Sequence, residues 1–154
     1  MSAPLETLAS GRRRFDGKVV VVTGAAQGIG RGVVLAICAE GGSVVAVDRS
    51  PLVHDVVAEA MAAGGVAAAF EADLETFAGA EAAIAEALRR HGRVDVLINN
   101  VGGTIWTKPF ERYGIDEIER EIRRSLFPTL WCCRAVLPSM VARRHGVIVN
   151  VSSI

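Results

Sequence analysis

The sequence predicts an α/β protein built on a doubly wound parallel sheet with helices on both faces. Short runs of Val, Ile and Ala, typical of strands buried on both faces, alternate along the chain with segments of helical periodicity. Such alternation indicates a parallel sheet. The 154 residues, 51% of them hydrophobic, are enough for one domain with a sizeable hydrophobic core and too few for two domains of typical size.

Each predicted element is bounded by residues that begin or end it. Gly41-Gly42 stop the first helix, Pro51 opens the second and Gly64-Gly65 end it. The predicted strands are 18–23, 43–48, 66–71, 94–99 and the run GVIVNVS at 146–152. The predicted helices are 28–40, 51–63, 76–91 and a long one over about 116–144. We expect one domain over 15–154 after a flexible, solvated tail of residues 1–14.

The composition disfavours several classes of function. The 17 basic and 17 acidic residues balance, which argues against nucleic acid or an anionic membrane as the main partner. Residues 1–14 show no apolar h-region, so we expect no secretory signal there, and no uncharged apolar stretch of membrane-spanning length stands out. The three cysteines lie in apolar helical patterns without CxxC spacing, so we expect reduced core thiols, no metal site and a cytoplasmic location.

A glycine-rich turn, TGAAQGIG at residues 23–30, joins the first strand to the first helix. Gly24 allows the tight turn, Gly28 lets the backbone approach a pyrophosphate, and Gly30 permits close packing of helix on strand. The helix start offers free N–H groups and a partial positive charge to phosphates. With a strand before it, a helix after it and an acid about 20 residues on, the turn predicts a Rossmann-type dinucleotide site.

The acid at that spacing is Asp48, the last residue of the second predicted strand. Its carboxylate can accept hydrogen bonds from both ribose hydroxyls and would repel a 2′-phosphate, which favours NAD over NADP. Arg49, the next residue, could instead reach a 2′-phosphate, so this alternative stays open.

The spacing of the glycine-rich turn and three further motifs make the chain resemble the short-chain dehydrogenase/reductase family. The spacing is T-G-x-x-x-G-x-G, and the further motifs are Asp73-Leu74 after the third strand, NNVG at 99–102 and Ser152-Ser153 after the fifth strand. The resemblance covers residues 15–154 and implies the cofactor-binding set Thr23, Gly24, Gln27, Gly28, Ile29, Gly30, Asp48, Asp73, Leu74, Asn100 and Gly102. In that family Asp73 and Leu74 would flank the adenine, and Asn100 would lie by the cofactor ribose.

The resemblance also implies a catalytic role for Ser153, which would hold the substrate oxygen, with Ser152 as the alternative. The family domain runs to about 250 residues and carries its Tyr-x-x-x-Lys after this serine. We therefore expect the sheet to be truncated after its fifth strand, the 154-residue chain to be inactive, and the full-length enzyme to be a homo-oligomer, a tetramer by resemblance. Ser125 stands where the family usually has an asparagine, so one interpretation is that a catalytic residue is lost. The alternative hypothesis is that Pro128 opens the Ser125 carbonyl in compensation.

The stretches 99–113 and 121–140 resemble one subfamily, the dehydrogenases that act on the cis-diol formed from benzoate. This implies oxidation of a ring carbinol by NAD followed by loss of carbon dioxide to give catechol. Lys108, Arg112 and Arg124 are candidates to pair the substrate carboxylate. The alternatives are another alcohol or carbonyl substrate, as in a 3-oxoacyl reductase, a dinucleotide-binding module without catalysis, and a methyltransferase using S-adenosylmethionine.

Overall fold

The computed structural model of the protein describes residues 13–152 as alternating strands and helices. The strands are β1 (Val19–Thr23), β2 (Ser43–Asp48), β3 (Val66–Glu71), β4 (Val96–Asn99) and β5 (Val147–Asn150). The helices are α1 (Gly28–Ala39), α2 (Val53–Ala62), α3 (Phe77–His91), α4 (Ile115–Ser125) and α5 (Phe127–Arg143). A short 3₁₀ turn, Phe110–Arg112, precedes α4.

The five described strands form one sheet in the order β3-β2-β1-β4-β5, and every neighbouring pair is parallel. Val22 of β1 is aligned with Ala46 of β2 on one side and with Ile98 of β4 on the other. This order confirms the doubly wound fold. The chain passes from β3 at one edge to β4 beside β1, and at such a reversal a crevice opens at the carboxyl ends of the strands.

Two hydrophobic cores form because successive side chains of a strand point to opposite faces of the sheet. Val20 and Val22 pack with α1 and α2 on one face, whereas Val21 packs with α3 and α5 on the other. All three side chains are fully buried. Cys38 lies in the first core and Cys132 in the second, and burial raises the pKa of their thiols to about 11 and about 12. These thiols are therefore neutral core groups, as predicted.

The predicted long helix over 116–144 is wrong in one respect, because it is interrupted at Leu126. The residue has a φ of −104° and separates α4 from α5. Pro128 lies in the first turn of α5, where its lack of an N–H removes a hydrogen bond that a continuous helix would need. The second helix also begins two residues after Pro51, at Val53.

Asp95, just before β4, joins three parts of the fold at the amino ends of the strands. Its carboxylate accepts hydrogen bonds from the Val19 N–H (2.9 Å), from Arg143 (2.6 Å) and from Arg93 (3.0 Å). Burial alone would raise the pKa of Asp95, but these donors outweigh it and lower the pKa to about 2. The ionised carboxylate thus links β1, α5 and the segment before β4.

Arg14, which the sequence analysis places in the tail, pairs with the buried carboxylate of Glu40. Residues 1–12 lie outside the described part of the chain. The helical stretch Ile115–Arg143 is the one described segment that passes a length and hydropathy test for a membrane span, with a mean hydropathy of 1.2. Of its most apolar window 22% is buried, and Cys132, Val136 and Met140 of α5 pack in the second core.

Candidate functional site

A cleft of about 480 Å³ lies at the carboxyl ends of the central strands, within the size range of small-molecule sites. It is lined by the turn after β1, the end of β2, the segment after β3 and the segment after β4. Nine of the predicted cofactor-binding residues line it: Gly24, Gln27, Gly28, Ile29, Asp48, Asp73, Leu74, Asn100 and Gly102. The fold therefore gathers residues from four separate motifs into one cleft.

The three glycines of the turn differ in what constrains them. Gly24 and Gly28 have φ values of +64° and +54°, which favour glycine. A Cβ on Gly28 would meet nothing within 4 Å, so the backbone there faces open space. A Cβ on Gly30 would lie 2.0 Å from the Gly24 carbonyl oxygen, so Gly30 permits contact of α1 with the turn. In the described part of the chain no side chain caps the start of α1 at Gln27, which leaves the first-turn N–H groups to the cleft.

Thr23 lies beneath the cleft and not in its lining, since its side chain is buried. Its hydroxyl donates to the Ile98 carbonyl (3.3 Å) and accepts hydrogen bonds from the N–H groups of Asn100 (2.9 Å) and Val101 (3.3 Å). The Asn100 amide donates in turn to the Gly24 carbonyl (3.2 Å). Thr23 and Asn100 thus fix the segment after β4 against the glycine turn.

The Asp48 carboxylate is half-buried at the rim of the cleft and is held from both sides. One oxygen accepts a hydrogen bond from the Ala26 N–H (3.0 Å) and the other from the Ser50 N–H (2.9 Å). Each carboxylate oxygen keeps a further lone pair for another donor. Arg49 points to Glu75, with 3.4 Å between the guanidinium and the carboxylate. The residue that could accept a 2′-phosphate is therefore paired in this structure.

Asp73 and Leu74 close the opposite wall of the cleft. The Leu74 side chain is anchored in the second core, while one Asp73 carboxylate oxygen accepts a hydrogen bond from the Glu75 N–H (3.0 Å). These contacts hold the segment between β3 and α3 in place, so this wall is already formed in the protein alone.

Of the two predicted catalytic serines, Ser125 lies near the end of the cleft formed by the segment after β4. The Ser125 hydroxyl donates to the Gly103 carbonyl (3.2 Å), and the Ser125 carbonyl oxygen lies 4.0 Å from where a Cβ on Gly102 would be. The end of β5 reaches the same region, because the Val151 N–H donates to the Asn99 carbonyl (2.9 Å). Ser152 is exposed there, and Ser153 lies outside the described residues.

Sequence reasoning missed the residue that fixes the loop between the cleft and α4. One carboxylate oxygen of Glu121 accepts hydrogen bonds from the N–H groups of Ile105 (2.9 Å) and Trp106 (3.1 Å). Tyr113 donates to the Trp106 carbonyl (2.6 Å) and adds a second anchor. No sequence signal identifies such a contact, because a Glu on a polar helix is ordinarily interpreted as a solvated side chain.

The three basic residues proposed to bind an anionic substrate lie in different surroundings. Lys108 is paired with Glu117, with 2.6 Å between the closest atoms, and also lies over the Tyr113 ring. Arg112 is exposed on the 3₁₀ turn and does not line the cleft. Arg124 alone of the three lines the cleft. Among residues 13–152 no cluster of His, Cys, Asp and Glu is suited to hold a metal ion.

The doubly wound fold, the glycine-rich turn and the motifs at 73–74 and 99–102 together define a class of oxidoreductase domain. Residues 18–154 match the sequence profile of the family described as short chain dehydrogenase. The chain belongs to the short-chain dehydrogenase family.

Within the family the chain is similar to the 1,6-dihydroxycyclohexa-2,4-diene-1-carboxylate dehydrogenase of Acinetobacter baylyi, with 60% identity over 92% of this chain. The chain spans 54% of that relative's length. Among solved structures it is similar to a 7α-hydroxysteroid dehydrogenase complexed with NADH and 7-oxo glycochenodeoxycholic acid, with a TM-score of 0.86 and 31% identity over 92% of this chain and 55% of that one. A metagenomic short-chain oxidoreductase in complex with NADP gives a TM-score of 0.85 and 34% identity over 91% and 64%.

Proposed function

We propose that this chain is the dinucleotide-binding part of an NAD-dependent dehydrogenase that converts 1,6-dihydroxycyclohexa-2,4-diene-1-carboxylate to catechol and carbon dioxide. The observation that carries the cofactor assignment is the cleft, where an open glycine turn and the Asp48 carboxylate lie side by side, joined by the Ala26 N–H. The substrate assignment rests on the 60% identity to the relative of that name. The whole protein means a polypeptide of the relatives' full length.

The residues of the cleft fit a dinucleotide. The uncapped start of α1 supplies N–H donors for the pyrophosphate, and Gly28 leaves room for its close approach. Asp48 accepts the ribose hydroxyls and repels a 2′-phosphate, and Arg49 is paired with Glu75. Neighbours with NADH and with NADP both occur, so these local charges decide the preference for NAD.

When bound, NAD supplies the hydride acceptor for the ring carbinol. Oxidation of the hydroxyl-bearing carbon next to the carboxylate-bearing carbon gives a β-keto acid. Loss of carbon dioxide from that acid leaves an enol, and its formation restores the aromatic ring as catechol. The chain's own part is to hold the reactants: Ser153 holds the substrate oxygen, with Ser152 as the alternative, and the segment Asn100–Gly102 lies beside the reacting end.

We propose that Ser125 acts through its main-chain carbonyl, in the place where the family carries an asparagine. The helix break at Leu126 and the approach of the Ser125 carbonyl to Gly102 support this role, since both follow from an opened turn before Pro128. The carbonyl would hold a water at the substrate end of the cleft. Serine then suffices because the acceptor belongs to the backbone and not to the side chain.

The whole protein is proposed to be a cytoplasmic homo-oligomer, a tetramer by family resemblance. Leu130, Leu137 and Val141 of α5 lie along one helical face and are exposed, Val141 by 69%. An apolar stripe of this kind indicates a subunit contact. Val141→Glu should reduce the mass measured by light scattering, whereas Met61→Glu, at an equally apolar exposed site on α2, should not.

The function is tested by incubating the whole protein with NAD and the cis-diol carboxylate and measuring NADH, catechol and carbon dioxide. We expect the three products in equal amounts. Oxidation of a 3-oxoacyl reductase substrate with no reaction of the diol would favour the alternative substrate class, and dinucleotide binding without turnover of any alcohol would favour a binding module.

A further inference from the structure

Arg124 differs from most of the other arginines in the described part of the chain. Eight of those arginines form ion pairs with carboxylates, including Arg49 on the opposite wall of the cleft. Within residues 13–152 Arg124 forms no ion pair, yet its Nε is buried and has no hydrogen-bond partner there. A buried guanidinium N–H without an acceptor is unfavourable. Such an orphaned donor in the lining of a ligand cleft indicates that its acceptor belongs to the ligand.

Within the described residues, Arg124 forms no ion pair with a carboxylate of its own helix. The acidic residue one turn earlier is Glu121, and its carboxylate accepts the N–H groups of Ile105 and Trp106. This contact fixes the loop and leaves Arg124 directed to the cleft, which it lines together with Asn100, Val101 and Gly102. The next residue, Ser125, has its Cα 3.9 Å from where a Cβ on Gly102 would be, so Arg124 lies at that end of the cleft.

We propose that Arg124 is an anion-binding residue of the cleft, whose guanidinium takes an oxyanion of a bound small molecule. The inference rests on the proposed function, which supplies two such oxyanions: the carboxylate of the diol and the pyrophosphate of the dinucleotide. A planar guanidinium can hold either one through two parallel hydrogen bonds. With the carboxylate as its ligand, Arg124 is the residue that selects an acidic diol over a neutral one.

The test compares Arg124→Gln with Arg123→Gln in the whole protein. Arg123 is the matched control, because it is the neighbouring arginine but stacks on the Phe127 ring and does not line the cleft. Calorimetric titrations give the dissociation constants of NADH and, in the presence of NAD, of benzoate as a carboxylate probe. Steady-state kinetics give kcat/KM for the diol carboxylate and for the same ring diol without its carboxylate.

If the carboxylate is the ligand, Arg124→Gln should lower kcat/KM for the acidic diol and the affinity for benzoate, each by roughly 10- to 100-fold. The affinity for NADH and kcat/KM for the neutral diol should be unchanged. If the pyrophosphate is the ligand, the affinity for NADH should fall by that factor, and kcat/KM should fall equally for both diols. Values within two-fold of the unmutated protein for every ligand would overturn the proposal.

Arg124→Lys keeps the charge but loses the two-pronged donor, and it provides the same comparison if the glutamine variant does not fold. A several-fold loss in either of these two patterns supports the proposal, and no loss overturns it. If the unmutated whole protein oxidises neither diol, the proposed function fails, and the titrations with NADH and benzoate decide the role of Arg124 separately.

Discussion

Replacing Asp48 should change which dinucleotide the enzyme uses. In the structure its two carboxylate oxygens also accept hydrogen bonds from the N–H groups of Ala26 and Ser50. Asp48→Ala removes the ribose contact and both of these anchors together, so it would weaken every cofactor. Asp48→Asn removes the negative charge but keeps one amide oxygen as an acceptor. The asparagine variant therefore separates the charge effect from loss of the turn geometry.

A hydrogen bond to a charged group contributes roughly 1.5–3 kcal/mol, so Asp48→Asn should lower kcat/KM for NAD by roughly 10- to 150-fold. Loss of the repulsion of a 2′-phosphate should raise kcat/KM for NADP. The assay is the ratio of the two values in the whole protein, with Asp55→Asn, an exposed carboxylate outside the cleft, as control. Equal use of NAD and NADP by the unmutated enzyme, or an unchanged ratio in Asp48→Asn, would refute the reasoning.

Three further outcomes follow from the contacts described above. The folded-state pKa of Asp95, about 2, lies below its ordinary value of 3.8, so its ionised form stabilises the fold at neutral pH, and the contribution is lost as the pH falls through this range. Urea unfolding should show Asp95→Asn less stable by about 2 kcal/mol near pH 7, with the difference shrinking between about pH 4 and pH 2, and a pH-independent difference would contradict this. Pro128→Ala should close the helix at Leu126 and lower turnover, and the idea fails if a crystal structure and kcat are both unchanged. The 154-residue chain alone should show no turnover, because its one tyrosine, Tyr113, is followed at the fourth position by Glu117 and not by a lysine, and steady formation of NADH by it would contradict the role assignment.

The fold could be predicted almost completely because the sequence signals are local and consistent. The runs at 43–48 and 66–71 are strands with the predicted bounds, since β-branched or small apolar residues end there at turn residues. The helix break at Leu126 was harder to place, because no glycine interrupts residues 115–143. Only the backbone effect of Pro128 indicated that the helix would open.

The cleft could be predicted as a set of motifs but not as a set of contacts. The glycine spacing and the position of Asp48 after β2 assigned the residues that now line the same cavity. The pairing of Arg49 with Glu75 and the use of Glu121 by the loop depend on residues brought together by the fold. Sequence spacing carries no information on which of several arginines keeps an unpartnered donor, so the distinction of Arg124 required the structure.

A crystal structure of the whole protein with NAD tests the central claim most directly. We predict that the pyrophosphate lies against the N–H groups at the start of α1. The Asp48 carboxylate should lie within about 2.5–3.2 Å of the adenosine ribose hydroxyls. A dinucleotide bound elsewhere, or one whose ribose makes no contact with Asp48, would contradict the account.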